Sequence, residues 1–284
     1  MKRIEIIADT TQDFTYELAD RFGVQLLSYY IEMDGKYYKD LEDINSKEFY
    51  KVMQNYEQLS TGVPPVKDVT DLLDELKSEG VEDVICITSS STVTGMTALY
   101  HTVKQSYEGL NIHIYETKHI GATAALMTIR AAELRDAGKS IEEIFKELHR
   151  VNDQTKIYAI FRTLSYVVKG GRFNKYKGMI GNFLKITPLL SQDDSGAVVP
   201  LEKIRGEVKS LKVFIEAIRK EVGESKKYRL IIFSGDNERE KEILKENIKD
   251  LIEKADLFFE TELTPVLGVH GGPGAIGCGI MKLD

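Results

Sequence analysis

The sequence has no tryptophan, only two cysteines and six prolines in 284 residues, and no apolar run that approaches the length of a membrane span. Cys86 and Cys278 each lie inside an apolar, strand-like run, so they read as small core residues and not as a disulfide framework. The five histidines are scattered, with no pair at helical ligand spacing and no cysteine pair nearby, which leaves no metal site to expect. Basic residues are outnumbered, and a net charge of −7 removes any general attraction to phosphate backbones, so nucleic acid is excluded as a partner. No repeat or low-complexity tract appears. A Walker A loop is missing as well, and with it that route to a nucleotide phosphate.

What remains is ordinary for a soluble globular chain, with 42% hydrophobic and 29% charged residues. At about 150 residues per domain the length suggests two domains, and two domains create a cleft. The start, Met1-Lys2-Arg3-Ile4-Glu5-Ile6-Ile7-Ala8-Asp9, is basic but has no apolar stretch of useful length before Asp9, so no export signal or stable membrane insertion is expected. The expected location is cytoplasmic.

The most informative stretch is Ile85-Cys86-Ile87-Thr88-Ser89-Ser90-Ser91-Thr92-Val93-Thr94-Gly95-Met96-Thr97. Val84, Ile85 and Ile87 form a buried strand, hydroxyl residues form a loop, and Ala98, Leu99, Thr102 and Val103 share a helix face beginning near Gly95. A loop at the carboxyl end of a strand and the amino end of a helix suits an anionic oxygen, because the first-turn N–H groups and the helix dipole both favour it. Serines and threonines are also good helix caps, and a capped, solvated loop is the competing reading.

Along the chain, Ile4 to Ile7 predict a strand, Phe14 to Phe22 a helix, and Val24 to Met33 a strand that turns at Asp34-Gly35 into a hairpin. Asn45 with Glu48, and Ser140 with Glu143, are capping boxes. Leu59 to Pro65 is extended, and helices follow from Asp68 to Gly80 and from Ala122 to Ala137. The polar interval from Asn152 to Thr155 marks a boundary, giving domains of residues 1–153 and 154–284. In the second half, a strand opens at Lys156, a hairpin turns at Asp193-Asp194-Ser195-Gly196, and helices cover Val208 to Val222 and Glu238 to Ala255. Strands at Arg229 to Phe233 and Leu257 to Thr261 precede a glycine-rich segment from Pro265 to Gly277 and a last strand.

Gly272, Gly274 and Gly277 have dinucleotide-loop spacing, but only seven residues follow, too few for the helix and acidic residue that such a site needs. Asp9 before two threonines reads as a cap more readily than as an aspartyl nucleophile. The glycines around His270 suggest a backbone brought close to something, or else a packed turn. A hydrolase would pair His270 with Ser90 or Ser91, although no G-x-S-x-G elbow exists.

Taken together, Asp9-Thr10-Thr11, Thr61 before Pro64-Pro65, Ser90 to Gly95, Glu116-Thr117, Lys169-Gly170-Gly171-Arg172 and His270 to Gly277 occur in the order and spacing of the DegV family, and the chain resembles a DegV protein from end to end. The resemblance implies an α/β fold of two α/β domains with a long-chain fatty acid between them, residues 264–277 returning to that interdomain site. It also implies a role as the acyl-binding subunit of bacterial fatty acid kinase, with no cofactor and no chemistry of its own, a separate kinase subunit phosphorylating the bound acid. The carboxylate-binding positions carry over to Thr61, to Thr94 with the Gly95 amide, and to His270. Two departures, Met96 and Glu116, bear on acyl preference. A lipid-binding regulatory module without a kinase is the alternative. About 14 methylenes at roughly 0.8 kcal/mol each give on the order of 11 kcal/mol of gross burial, so affinity is expected from an apolar cavity, with neutral hydroxyls and one imidazole orienting the carboxylate. Arg172 and Arg205, each beside glycine, are expected on the partner-docking surface, or else capping carbonyls within their own domain.

Overall fold

The computed structural model describes residues 3–172 and 186–284; Met1 and Lys2, the start of the basic amino terminus, lie outside them. The first sheet is wholly parallel, in the order β2 (Gln25–Leu27), β1 (Ile4–Asp9), β6 (Asp83–Thr88), β7 (Asn111–Glu116). Every residue of β6 is buried, as a central parallel strand covered on both faces requires, which is why its sequence is apolar without alternation. A small antiparallel sheet, β4 (Lys36–Lys39), β3 (Tyr30–Met33), β5 (Leu59–Gly62), projects from this half. Its hairpin turns at Asp34 and Gly35, with φ of 48° and 81°, the left-handed pair that a two-residue turn needs.

The second large sheet is mixed, in the order β10 (Val198–Ile204), β9 (Thr187–Gln192), β8 (Thr155–Ile160), β13 (Ala275–Lys282), β11 (Tyr228–Gly235), β12 (Leu257–Glu262); only β11 and β12 run parallel. Between the two large sheets lies α5 (Ala122–Asp136), packed against β1 and β6 on one side and β8, β11 and β13 on the other. Being covered on both sides, it has buried residues all round and is rich in alanine. Gly279 of β13 crosses it where a Cβ would come within 2.9 Å of the Ala122 Cβ. The remaining helices are α1 (Tyr16–Phe22), α2 (Ser46–Val52), α3 (Val66–Ser78), α4 (Met96–Ser106), α6 (Ile141–Asn152), α7 (Ser165–Lys169), α8 (Glu207–Val222), α9 (Glu238–Asn247), α10 (Lys249–Ile252) and α11 (Pro265–Gly271). Both capping boxes form, Asn45 with Glu48 and Ser140 with Glu143.

Three elements differ from the sequence expectation. Val24 to Met33 is two strands in different sheets, because Tyr29 leaves the ladder: its N–H donates to Thr10 Oγ1 at 3.2 Å and its carbonyl accepts from Asp40 N at 2.8 Å. The helix expected from Glu238 to Ala255 breaks at Ile248, where Arg219 binds the Asn247 carbonyl and the Asp250 carboxylate. Pro265 to Gly271, expected as part of a glycine-rich segment with no helix, is α11, with proline in its first turn. This short helix packs on α2, β3 and β5 of the first half and on α7 of the second, and so stands where the two halves meet.

Candidate functional site

A cavity opens between the two large sheets and encloses about 900 Å³ of space between atoms, its mouth included. Most of its wall is apolar, with Ile120, Ile157, Phe161, Phe233, Leu263 and Leu267 among the lining residues. Ile120 comes from the loop before α5, Ile157 from β8, Phe233 from β11 and Leu267 from α11, so both halves are needed to build it. Its lining suits an apolar ligand fixed by a few polar groups.

Several of those polar groups gather around α11 and the loop after β6. Thr61, on β5 opposite Ile31, and His270, in the last turn of α11, meet across the halves with Oγ1 and Nε2 2.9 Å apart. Burial first, and the Arg172 charge second, pull the His270 pKa down to about 3, so the imidazole is neutral and has one N–H to give. Its Nδ1 is buried with no partner among the described residues, whereas Nε2 has the Thr61 oxygen. An orphaned N–H is costlier than an under-used acceptor, so the proton belongs on Nε2. Nε2–H then donates to Thr61, and the Thr61 hydroxyl is free to donate its own proton into the cavity.

Thr94 sits on the loop after β6, its hydroxyl donating to the Ser90 carbonyl at 3.3 Å and its N–H to the same oxygen at 3.0 Å. The buried Tyr29 hydroxyl faces Thr94 without a hydrogen bond of ordinary geometry; burial, reinforced by the Asp9 charge, raises its pKa. Arg172 completes this group, its Nε donating to the Val93 carbonyl at 3.3 Å and Nη1 to the Gly170 carbonyl at 2.6 Å.

Thr61, Thr94 and His270 all line the cavity. Gly95 does not: it is the exposed N-cap residue just before α4, beside Val63. Met96 is fully buried in the first core and lines no part of the cavity, and Glu116 accepts the Ser91 N–H at 2.8 Å, holding the loop from outside. Arg172 departs from the expectation of a guanidinium free for a partner, since it is partly buried, binds two carbonyls and lines the cavity. It also places a positive charge where only neutral groups were expected. Arg205 is exposed after β10 and has no hydrogen bond or ion pair among the described residues.

Ser90 and Ser91 do not join His270. The Ser90 hydroxyl is bonded to Thr92 at 2.8 Å, Ser91 is exposed, and neither lines the cavity. Asp9 caps the turn of residues 10–12, its Oδ1 accepting the Thr11 N–H at 2.9 Å. Among the described residues no group of three or more His, Cys, Asp or Glu side chains is placed to hold a metal, and no helix is long and apolar enough to cross a membrane. The glycines near His270 admit aromatic side chains: Phe49 and Tyr50 press on Gly268, and Tyr166 on Gly272. Tyr29, Asp13 and the cavity role of Arg172 escaped the sequence reading. A signal for Tyr29 exists in the polar Ser28 that interrupts an otherwise apolar run.

The model of the DegV family, described as uncharacterised, matches residues 3–283. A DegV domain-containing protein of Clostridium acetobutylicum is 32% identical over 282 residues, covering 99% of this chain and all of that protein. Among solved structures, a DegV family protein from Thermus thermophilus, described for its fatty acid binding, is 25% identical with a TM-score of 0.90, covering 99% of this chain and all of that one. DegV from Bacillus subtilis, described as a fatty acid binding protein, has the same fold, with a TM-score of 0.90 at 22% identity and full coverage of both chains. With the family matched over nearly its whole length, the chain belongs to the DegV family.

Proposed function

We propose that this chain binds a long-chain fatty acid in the cavity between two α/β domains, divided near residue 153, and presents its carboxylate to a separate fatty acid kinase in the cytoplasm without performing chemistry itself. The observation that carries the reading is the Thr61–His270 pair, 2.9 Å apart in a mostly apolar cavity. Thr61 offers a hydroxyl donor, Thr94 stands beside it with its own hydroxyl turned to the Ser90 carbonyl, and Arg172 supplies the charge that a carboxylate leaving water requires. The apolar wall takes the acyl chain, where burial of methylenes contributes most of the affinity. The descriptions of the Thermus thermophilus and Bacillus subtilis proteins support the ligand class. The hydrolase reading loses its ground, because neither Ser90 nor Ser91 is bonded to His270 or lines the cavity.

Mass spectrometry of an organic extract of the purified protein is expected to find a fatty acid. No acyl species, together with no uptake of added fatty acid, would overturn the reading. A phosphorylation assay with the cognate kinase then tests the presentation role, and the Arg172→Ala and Arg205→Ala variants separate its parts. Arg172→Ala is expected to weaken fatty acid binding; Arg205→Ala is expected to weaken only coupling to the kinase.

A further inference from the structure

Asp13 lines the same cavity from the opposite end of α11. Its Oδ1 accepts the Thr264 N–H at 3.2 Å, just before the helix begins; the Ala122 N–H is the other donor beside the carboxyl, but the buried Oδ2 makes no hydrogen bond of ordinary geometry among the described residues. The residue is 1% exposed and is fixed by a left-handed backbone with φ of 51°. Gly121 faces it, and a Cβ there would stand 2.8 Å from Oδ2 and 3.6 Å from a methyl carbon of Leu267. The missing side chain therefore keeps the space beside that oxygen open. Ile120, Ile157, Phe233, Leu263 and Leu267 supply apolar lining, while Thr11, Ser191 and Gln192 also reach the cavity.

Six residues separate Thr264 from His270, and at about 1.5 Å rise per residue they span about 9 Å. An acyl chain whose carboxylate meets Thr61 and His270 thus passes Asp13 at mid-chain. A saturated chain leaves Oδ2 unpaired, and a buried polar atom without a partner is costly. A hydroxyl at that depth would satisfy the carboxyl and be satisfied by it; against the apolar side chains of the wall, the same hydroxyl would be buried alone. Burial pushes the Asp13 carboxyl up to about 8, so near neutral pH it is largely an acid that both donates and accepts, as a hydroxyl does.

We propose that Asp13 is a specificity-determining residue and that the cavity favours fatty acids carrying a mid-chain hydroxyl, hydrogen-bonded to its Oδ2. The inference rests on the fatty-acid reading above. Direct binding of stearic, 10-hydroxystearic and 14-hydroxystearic acid to the wild-type protein tests it. The 10-hydroxy acid is expected to bind at least as tightly as stearic acid and about tenfold more tightly than the 14-hydroxy acid. Asp13→Asn keeps an acceptor for Thr264 and a polar group toward the chain, so it should keep the preference; Asp13→Leu should lose it. If Asp13→Leu does not fold, the wild-type series alone decides. Stearic acid bound normally, with the 10-hydroxy acid weaker than it or no better than the 14-hydroxy acid, overturns this inference and leaves the fatty-acid reading standing. Uptake of none of the three overturns both.

Discussion

Gly170 has no side chain where His270 needs the space: a Cβ on Gly170 would fall inside contact distance of the imidazole Nδ1, Cε1 and Cγ atoms. The backbone of Gly170 is right-handed helical, φ −67° and ψ −7°, so alanine is conformationally acceptable there and the conflict is purely with the ring. Gly170→Ala is therefore expected to push His270 away from Thr61 and lower fatty acid affinity by about tenfold, the size of one hydrogen-bonded contact, while the fold persists. Ligand titration alongside circular dichroism checks this. Unchanged affinity in the folded variant would show that the imidazole position does not matter to the ligand.

The Thr61–His270 bond makes a coupled prediction. Thr61→Val removes the hydroxyl and keeps the shape, and His270→Gln retains a polar group without the ring. Each is expected to weaken carboxylate binding by roughly tenfold, and the double variant by less than the product of the two, because both act through one donor aimed into the cavity. A fatty alcohol of the same chain length should discriminate poorly among the four proteins. Fully multiplicative losses would count against the relay from Nε2–H through the Thr61 hydroxyl.

Stability should depend on pH through two opposed sets of buried groups. Asp13 and Asp40 accept the N–H groups of Thr264 and Val266 at 3.2 and 3.3 Å, and burial pushes both carboxyls up to about 8, with Asp9 raised to about 6. The folded chain thus keeps protons that the unfolded chain releases above about 4; their stabilising contribution is full below that pH and is lost as pH rises toward 8. His270 and His119 behave in the opposite sense. Burial pulls them down to about 3 and about 4, so their contribution is present above about 6.5 and is lost as pH falls through those values. Urea denaturation followed by circular dichroism, compared between variant and wild type at each pH, isolates each group at up to about 1.4 kcal/mol per pH unit. Asp13→Asn and Asp40→Asn should flatten the decline toward pH 8, and His270→Gln the decline toward acid. A wild-type and Asp40→Asn difference that stays constant from pH 4 to 8 would mean Asp40 is ionised in the folded protein.

These residues also show why some of the molecule is legible in the sequence and some is not. The strand, loop and helix around Ser90, the Asp34-Gly35 turn and both capping boxes depend on neighbours within a few residues, so local pattern suffices. Thr61, Thr94 and His270, expected at one site through a resemblance spread over distant motifs, all line the cavity. By contrast, α11 contains glycines at 268 and 271, poor helix formers, and its start is held by Asp13 and Asp40, more than 200 residues away in sequence. Arg172 looks free because its glycine neighbours are local, while the Val93 carbonyl that binds it lies 79 residues earlier. Tyr29 leaves its strand for Thr10, a contact that no alternation of residue types can encode.

Gly277 connects sheet packing to ligand choice. It pairs directly with Phe233 across β13 and β11, and a Cβ on Gly277 would fall within the Phe233 ring, which itself lines the cavity. The glycine thus sets how far that ring stands back from the ligand space. Gly277→Ala is expected to cost about 1–3 kcal/mol through overpacking. Because the ring has backbone on one side and open cavity on the other, the added methyl should drive it into the cavity and shift preference toward shorter acyl chains. Binding of a saturated series from twelve to eighteen carbons, together with thermal unfolding, measures both effects. Phe233→Leu in the same chain removes the colliding ring atoms, so the double variant should recover most of the lost stability and accept the longer acids again. If Gly277→Ala lowers the melting temperature but leaves the chain-length profile unchanged, Phe233 yields elsewhere and does not gauge the ligand.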